Sequence, residues 1–156
     1  MNEKKKILWV EDDYYHLKDL TRQLTKNGFE IISARSYEQA IDELNTHKEH
    51  LSLILLDLII PNSSTKSVVP NMSEEEYEDT VEVPKDLVEY GIKLLKYMMQ
   101  ELQLTIPIIV LSIITTKEII NELENNGIKR LHKLGLLPNK LKEIVFEELS
   151  IKSDLV

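Results

Sequence analysis

Short apolar runs alternate along this chain with longer stretches whose apolar positions recur three and four residues apart. Ile7-Leu8-Trp9-Val10, Phe29 to Ala34, Leu51 to Leu58 and Ile106 to Leu111 are too continuous for a sheet that faces water, and they predict strands covered on both sides. Pro107 suits the start of its strand. Ile128 to His132 is the weakest of a set of five. Between them, Leu17, Leu20 and Leu24 share a helical face that Asn27-Gly28 stops, and Ser36 with Gln39 forms a capping-box pattern before Ala40, Ile41 and Leu44. Leu87, Leu94, Leu95, Met98 and Leu102 predict a third helix. Thr116 to Asn126, with Ile119, Ile120 and Leu123, predicts a fourth that Asn126-Gly127 ends. A fifth starts near Pro138 and carries Leu141, Ile144, Val145 and Leu149. Five βα units predict an α/β fold with a doubly wound parallel sheet.

One stretch breaks the rhythm. Between Pro61 and Asp86 lie 24 residues with few periodic apolar positions, including the acidic run Glu74-Glu75-Glu76-Tyr77-Glu78-Asp79. Loops longer than about 12–15 residues are uncommon in compact domains and tend to be functional or disordered. The expectation is one domain over residues 1–156 with an inserted loop at about 62–85, placed beside the third strand's exit as a device for partner choice.

Acids stand where two of the strands end. Asp57 falls in the third run ahead of Pro61, and Glu11-Asp12-Asp13 closes the first. Open α/β sheets bind their ligands outside the carboxyl ends of the strands, so this topology would gather Glu11, Asp12 and Asp57 at one spot. Taken singly, each has an ordinary explanation. Acids after a strand complement the next helix's dipole, Asp57 would serve as a turn residue, Ser112 as a helix-start polar group and Lys133 as one of 19 basic residues. Their joint placement at four strand ends is the argument for chemistry.

The formal charge of −8, from 27 acids against 19 bases, disfavours direct nucleic-acid binding. There are no cysteines, which excludes disulfides and thiolate metal sites. The apolar run after Lys4-Lys5-Lys6 is too short for a signal peptide or a membrane span, so the expectation is a cytoplasmic protein without membrane contact. The four histidines lack paired metal spacing.

The ordered set of Glu11-Asp12, Asp57, Ser112 and Lys133, after the first, third, fourth and fifth strands, resembles the receiver domain of two-component response regulators, the CheY-like family. The resemblance implies a flavodoxin-like five-stranded sheet of order 2-1-3-4-5. It also implies that Asp57 accepts a phosphoryl group from a histidine kinase or histidine phosphotransfer protein, with Mg²⁺ held by Glu11, Asp12, Asp57 and the backbone carbonyl of Ile59. Lys133 and Ser112 would contact the phosphoryl oxygens. Any catalysis would be at most self-catalysed phosphoryl transfer and autodephosphorylation. The shortness of the chain past the last helix suggests a stand-alone receiver that signals to an unknown downstream protein by contact.

Three positions depart from the family's pattern. Ile113 follows Ser112 where a small residue is usual, which would crowd the phosphoryl group. Leu134-Gly135 follows Lys133 where a proline is usual, and Arg130 stands in place of an aromatic. These features favour the main rival, a pseudo-receiver serving as a constitutive interaction module without phosphorylation. A hydrolase of the haloacid-dehalogenase kind would need a second acid in Asp57-Leu58-Ile59, which is absent.

Overall fold

The computed structural model describes residues 4–63, 85–113 and 116–154, with backbone only at 14, 16, 17, 85, 86 and 151–154. The expected acidic run at Glu74 to Asp79 and most of the 62–85 stretch lie outside the described residues, as does the side chain of Leu17.

Five strands pair in parallel: β1 (Lys5–Val10), β2 (Phe29–Ala34), β3 (Leu51–Leu56), β4 (Ile108–Ser112) and β5 (Lys129–His132), in the order β2-β1-β3-β4-β5. The helices are α1 (Tyr14–Lys26), α2 (Tyr37–His47), α3 (Glu89–Lys96), α4 (Lys117–Asn125) and α5 (Pro138–Asp154). A 3₁₀ turn, Lys85–Val88, leads into α3, and a π-helical turn, Tyr97–Glu101, follows it. This is the doubly wound order that the resemblance implied.

Alternation along the strands divides the core. Leu8, Val10, Ile54, Leu56 and Val110 are buried with Ala40 and Leu44 of α2, Leu94 and Leu95 of α3, and Ile119 and Leu123 of α4. Ile7, Trp9, Leu53, Leu55, Ile109 and Leu111 are buried on the other side with Leu20 and Leu24 of α1 and Leu141, Ile144, Val145 and Leu149 of α5. Each central strand therefore feeds two apolar layers, which is why its sequence shows no polar alternation.

Strand ends differ from expectation for local reasons. β1 begins at Lys5, because Lys5 and Lys6 pair with Phe29 and Glu30 while their side chains reach the rim. β3 stops at Leu56, before Asp57. Ile106 and Pro107 precede β4, although the Pro107 carbonyl still accepts the Ile54 N–H at 3.0 Å.

The start of α2 is fully hydrogen-bonded. Ser36 Oγ accepts from Gln39 N at 3.1 Å, the interaction the capping-box pattern predicts and one that stabilises a helix by about 1 kcal/mol. The two preceding amides donate elsewhere in the chain: Tyr37 N to the Pro61 carbonyl at 2.9 Å and Glu38 N to that of Asn62 at 3.0 Å. Backbone leaving the β3 side of the molecule is thus fastened to the α2 N-terminus. Among the described residues, no helix is long and apolar enough to cross a membrane.

Candidate functional site

Three of the predicted site residues leave their strands on a backbone hydrogen bond to a neighbouring strand. Glu11 N donates to the Ala34 carbonyl at 2.9 Å, Asp57 N to that of Val10 at 2.9 Å, and Lys133 N to that of Ser112 at 3.2 Å. The sheet ladder therefore extends one residue past the strands and fixes where these side chains start. Ser112 ends β4 and is fully buried. Leu56 lies opposite Val110 across β3 and β4, so Ser112 stands at the same sheet edge as Asp57.

Glu11, Asp12 and Asp57 are all buried, and one carboxylate oxygen from each lies within 4.8 Å of the others. Lys133 reaches into this group, its Nζ donating to Glu11 Oε1 at 2.6 Å and to Asp57 Oδ2 at 3.0 Å. Ile59 N donates to Asp57 Oδ1 at 2.9 Å, so both oxygens of this carboxylate are held. Asp13 N donates to Glu11 Oε1 at 3.2 Å, whereas the buried Oε2 has no hydrogen-bond partner among the described residues.

The electrostatics follow from this crowding. Burial, and then the charge of Asp57, push the Glu11 carboxyl well above its ordinary value, against the opposing pull of Lys133. Burial works against the charge on Lys133, but Asp57 and Glu11 outweigh it and hold its pKa above the ordinary lysine value. The ammonium is thus the lasting positive charge of the site, and it faces a Glu11 carboxyl that burial makes reluctant to ionise.

An all-oxygen set of carboxylates suits a hard divalent cation. The unpartnered Glu11 Oε2, buried beside two further carboxylates, is a ligand atom in need of a positive neighbour, so the residues present fit such an ion.

Lys133 arrives without the proline that usually follows it in the family it resembles. No cis peptide bond occurs among the described residues, and Gly135 adopts φ +78° in the turn that follows. A left-handed residue is open to glycine at no steric cost, so the Leu134-Gly135 pair makes this turn by another route. Ile113 is half-buried and packs against the core layer that contains Leu58, Ile59 and Ile60. Arg130 lies within β5, opposite Val110.

Two residues that serve the site were missed in the sequence. Gly91 in α3 lies so close to the backbone of Leu58 that a Cβ there would overlap the Leu58 carbonyl. The signal was present, since a lone glycine inside a helix costs about 1 kcal/mol relative to alanine and usually has a packing reason. Arg35, whose guanidinium donates to the Asp12 carbonyl at 3.1 Å, gave no sequence signal.

No family model matches the chain. Among curated proteins, it is 35% identical over 74 residues to the "Probable transcriptional regulator ycf27" of Pyropia yezoensis and 34% identical over 74 residues to that of Porphyra purpurea. Each match takes in 47% of this chain, and the chain spans 30% of the length of these relatives.

Solved structures resemble it over nearly its whole length. A CheY-like response regulator receiver domain from Methanospirillum hungatei has a TM-score of 0.70 at 20% identity, covering 98% of this chain and 99% of its own. A receiver domain from Clostridium thermocellum gives 0.66 at 15% identity, covering 97% and 99%. The BeF3-activated N-terminal receiver domain of Klebsiella pneumoniae RstA gives 0.65 at 19% identity, covering 93% and 98%. The chain has the receiver fold.

Proposed function

We propose that this chain is a phospho-acceptor receiver of a two-component system, modified on Asp57 in a reaction that depends on Mg²⁺. The observation that carries the reading is the arrangement of Glu11, Asp12 and Asp57 as buried neighbours, with Lys133 clamped on two of them. A fold shared with receiver domains supports it.

In this reading an Asp57 carboxylate oxygen forms a bond to phosphorus as the donor's phosphorus–nitrogen bond breaks. The electron pair returns to the imidazole of a phosphohistidine donor, and an acyl phosphate results. Lys133 turns its ammonium to the transferred oxygens, and the Ser112 hydroxyl donates to another of them. Glu11, Asp12, Asp57 and the Ile59 carbonyl would hold a divalent cation, whose charge would offset that of the nucleophile and of the transferred group. The partners are then a histidine kinase or phosphotransfer protein upstream and an unidentified protein downstream, in the cytoplasm. The 62–85 stretch acts in partner choice.

Incubation with Mg²⁺ and a small acyl phosphate should add one phosphate to the intact mass of the wild type and none to Asp57→Ala. A wild type that gains no mass with that donor or with a panel of histidine-phosphorylated proteins would transfer the reading to the rival, a constitutive interaction module, which Ile113 and the altered Lys133 region favour.

Mg²⁺ alone should bind at millimolar concentration. Trp9 is fully buried two residues before Glu11 and should report the event in its fluorescence. Calorimetry should show the binding abolished in an Asp12→Ala, Asp57→Ala double variant. Equal heats from variant and wild type would place the cation elsewhere.

A further inference from the structure

The turn from β1 into α1 is held by two successive residues at the exit of β2. The Ala34 carbonyl accepts the Glu11 N–H at 2.9 Å, and the Arg35 guanidinium donates to the Asp12 carbonyl at 3.1 Å. Arg35 is itself an exposed residue, but its base is fixed by the α2 cap. Its N–H donates to Gln39 Oε1 at 2.8 Å, and Gln39 N in turn donates to Ser36 Oγ at 3.1 Å. The α2 cap therefore does more than start a helix: through the Gln39 side chain it holds the backbone of Arg35, whose guanidinium meets the backbone of a residue with its carboxylate among those of Glu11 and Asp57.

We propose that Arg35 is a positioning residue for the divalent-cation site, setting the β1–α1 turn so that the Asp12 carboxylate meets those of Glu11 and Asp57. The inference rests on the cation reading above and adds to it a residue that touches neither the ion nor substrate. Outer partners that orient a ligand commonly change metal affinity by about 10–100-fold when removed.

The sign of the effect separates positioning from charge. A guanidinium near a cation site repels the cation, so if its charge were all that mattered, removing it would tighten binding. Positioning predicts the reverse. Arg35→Ala should weaken Mg²⁺ binding about 10-fold by calorimetry. Arg35→Lys, which keeps the charge and a donor on a different stem, should recover part of that loss. Thermal midpoints of both should stay near that of the wild type, because the side chain is exposed.

The turn can also be read without any ion. Hydrogen exchange at the Asp12 and Asp13 amides should be faster in Arg35→Ala, with the amides of α5 unchanged. Arg35→Ala that binds Mg²⁺ as tightly as the wild type, or more tightly, overturns the proposal. A wild type that takes up no Mg²⁺ overturns the cation reading instead. The exchange measurement then decides whether Arg35 holds the turn, and unchanged rates at Asp12 and Asp13 overturn that too.

Discussion

Replacing Lys133 with Met should lower the stability of the cation-free protein by about 3 kcal/mol at neutral pH, since it strips two buried carboxylates of their positive partner. The ammonium lies 2.6 Å from Glu11 Oε1 and 3.0 Å from Asp57 Oδ2, and the side chain is only 13% exposed. The loss should depend on pH in a defined direction. Glu11 already titrates well above its ordinary 4.5 in the folded state, so its protonated form favours folding. That contribution is complete below the unfolded value and is lost as pH rises through the folded one.

Lys133 pulls the folded value of Glu11 down, so without it the range over which stability falls extends to higher pH. Urea unfolding of wild type and Lys133→Met should therefore differ little near about pH 4 and most near about pH 8. Millimolar Mg²⁺ should restore part of the difference at the higher pH, because a ligand bound only by the folded state stabilises it by mass action. A gap between the two proteins that ignores both pH and Mg²⁺ would mean that Lys133 matters for its packing and not for its charge.

Gly91→Ala should destabilise the fold by about 3 kcal/mol, at the upper end for an added methyl group, and should also disturb the cation site. Helix propensity alone gives the opposite sign, as alanine is preferred to glycine inside a helix by about 1 kcal/mol. Geometry decides, because the new methyl would meet the carbonyl and Cα of Leu58, which are backbone atoms with no rotamer to change. Leu58 lies between Asp57 and Ile59, whose N–H holds Asp57 Oδ1. Pushing that segment away from α3 moves the acceptor carboxylate as well. A urea midpoint and an Mg²⁺ titration of the variant test both effects. Unchanged or raised stability would show that α3 can retreat from the segment at no cost.

Most of the fold was readable because it rests on local signals that tertiary packing reinforces. Continuous apolar runs marked the central strands, since residues such as Leu53 and Ile54 are buried in opposite layers. Ser36 and Gln39 announced the start of α2, and Gly28 and Gly127, at φ +91° and +68°, mark helix ends where Asn-Gly pairs predicted them. The ends of strands were less legible. Lys5 and Lys6 form ladder pairs through their backbones, which no hydrophobic pattern records.

At the candidate site, the gathering of Glu11, Asp12, Asp57 and Lys133 was legible from their places after strands, since that is where a doubly wound sheet brings its side chains together. The contact between Lys133 and Glu11 joins residues 122 positions apart, and only the assembled sheet brings them to 2.6 Å. Gly91 and Arg35 were hidden for a different reason. Each acts on backbone atoms of a distant segment, Leu58 in one case and Asp12 in the other, and a side-chain pattern holds no trace of such contacts.

The capture of the Pro61 and Asn62 carbonyls by the first amides of α2 has a consequence for how the chain tolerates change in length. On the far side, Tyr90 of α3 packs against Tyr37 of α2 with ring centroids 5.7 Å apart, and Lys93 lies over the Tyr37 ring at 5.1 Å. The points where the sheet-bearing body lets the chain go and takes it back are therefore both fastened to the same short helix. With both ends anchored, the spacing between them no longer depends on what connects them. Each doubling of a flexible connection adds only about 0.6 kcal/mol of closure entropy. Changing the length of the sequence between these two anchors should therefore leave Asp57 and its neighbours in their places.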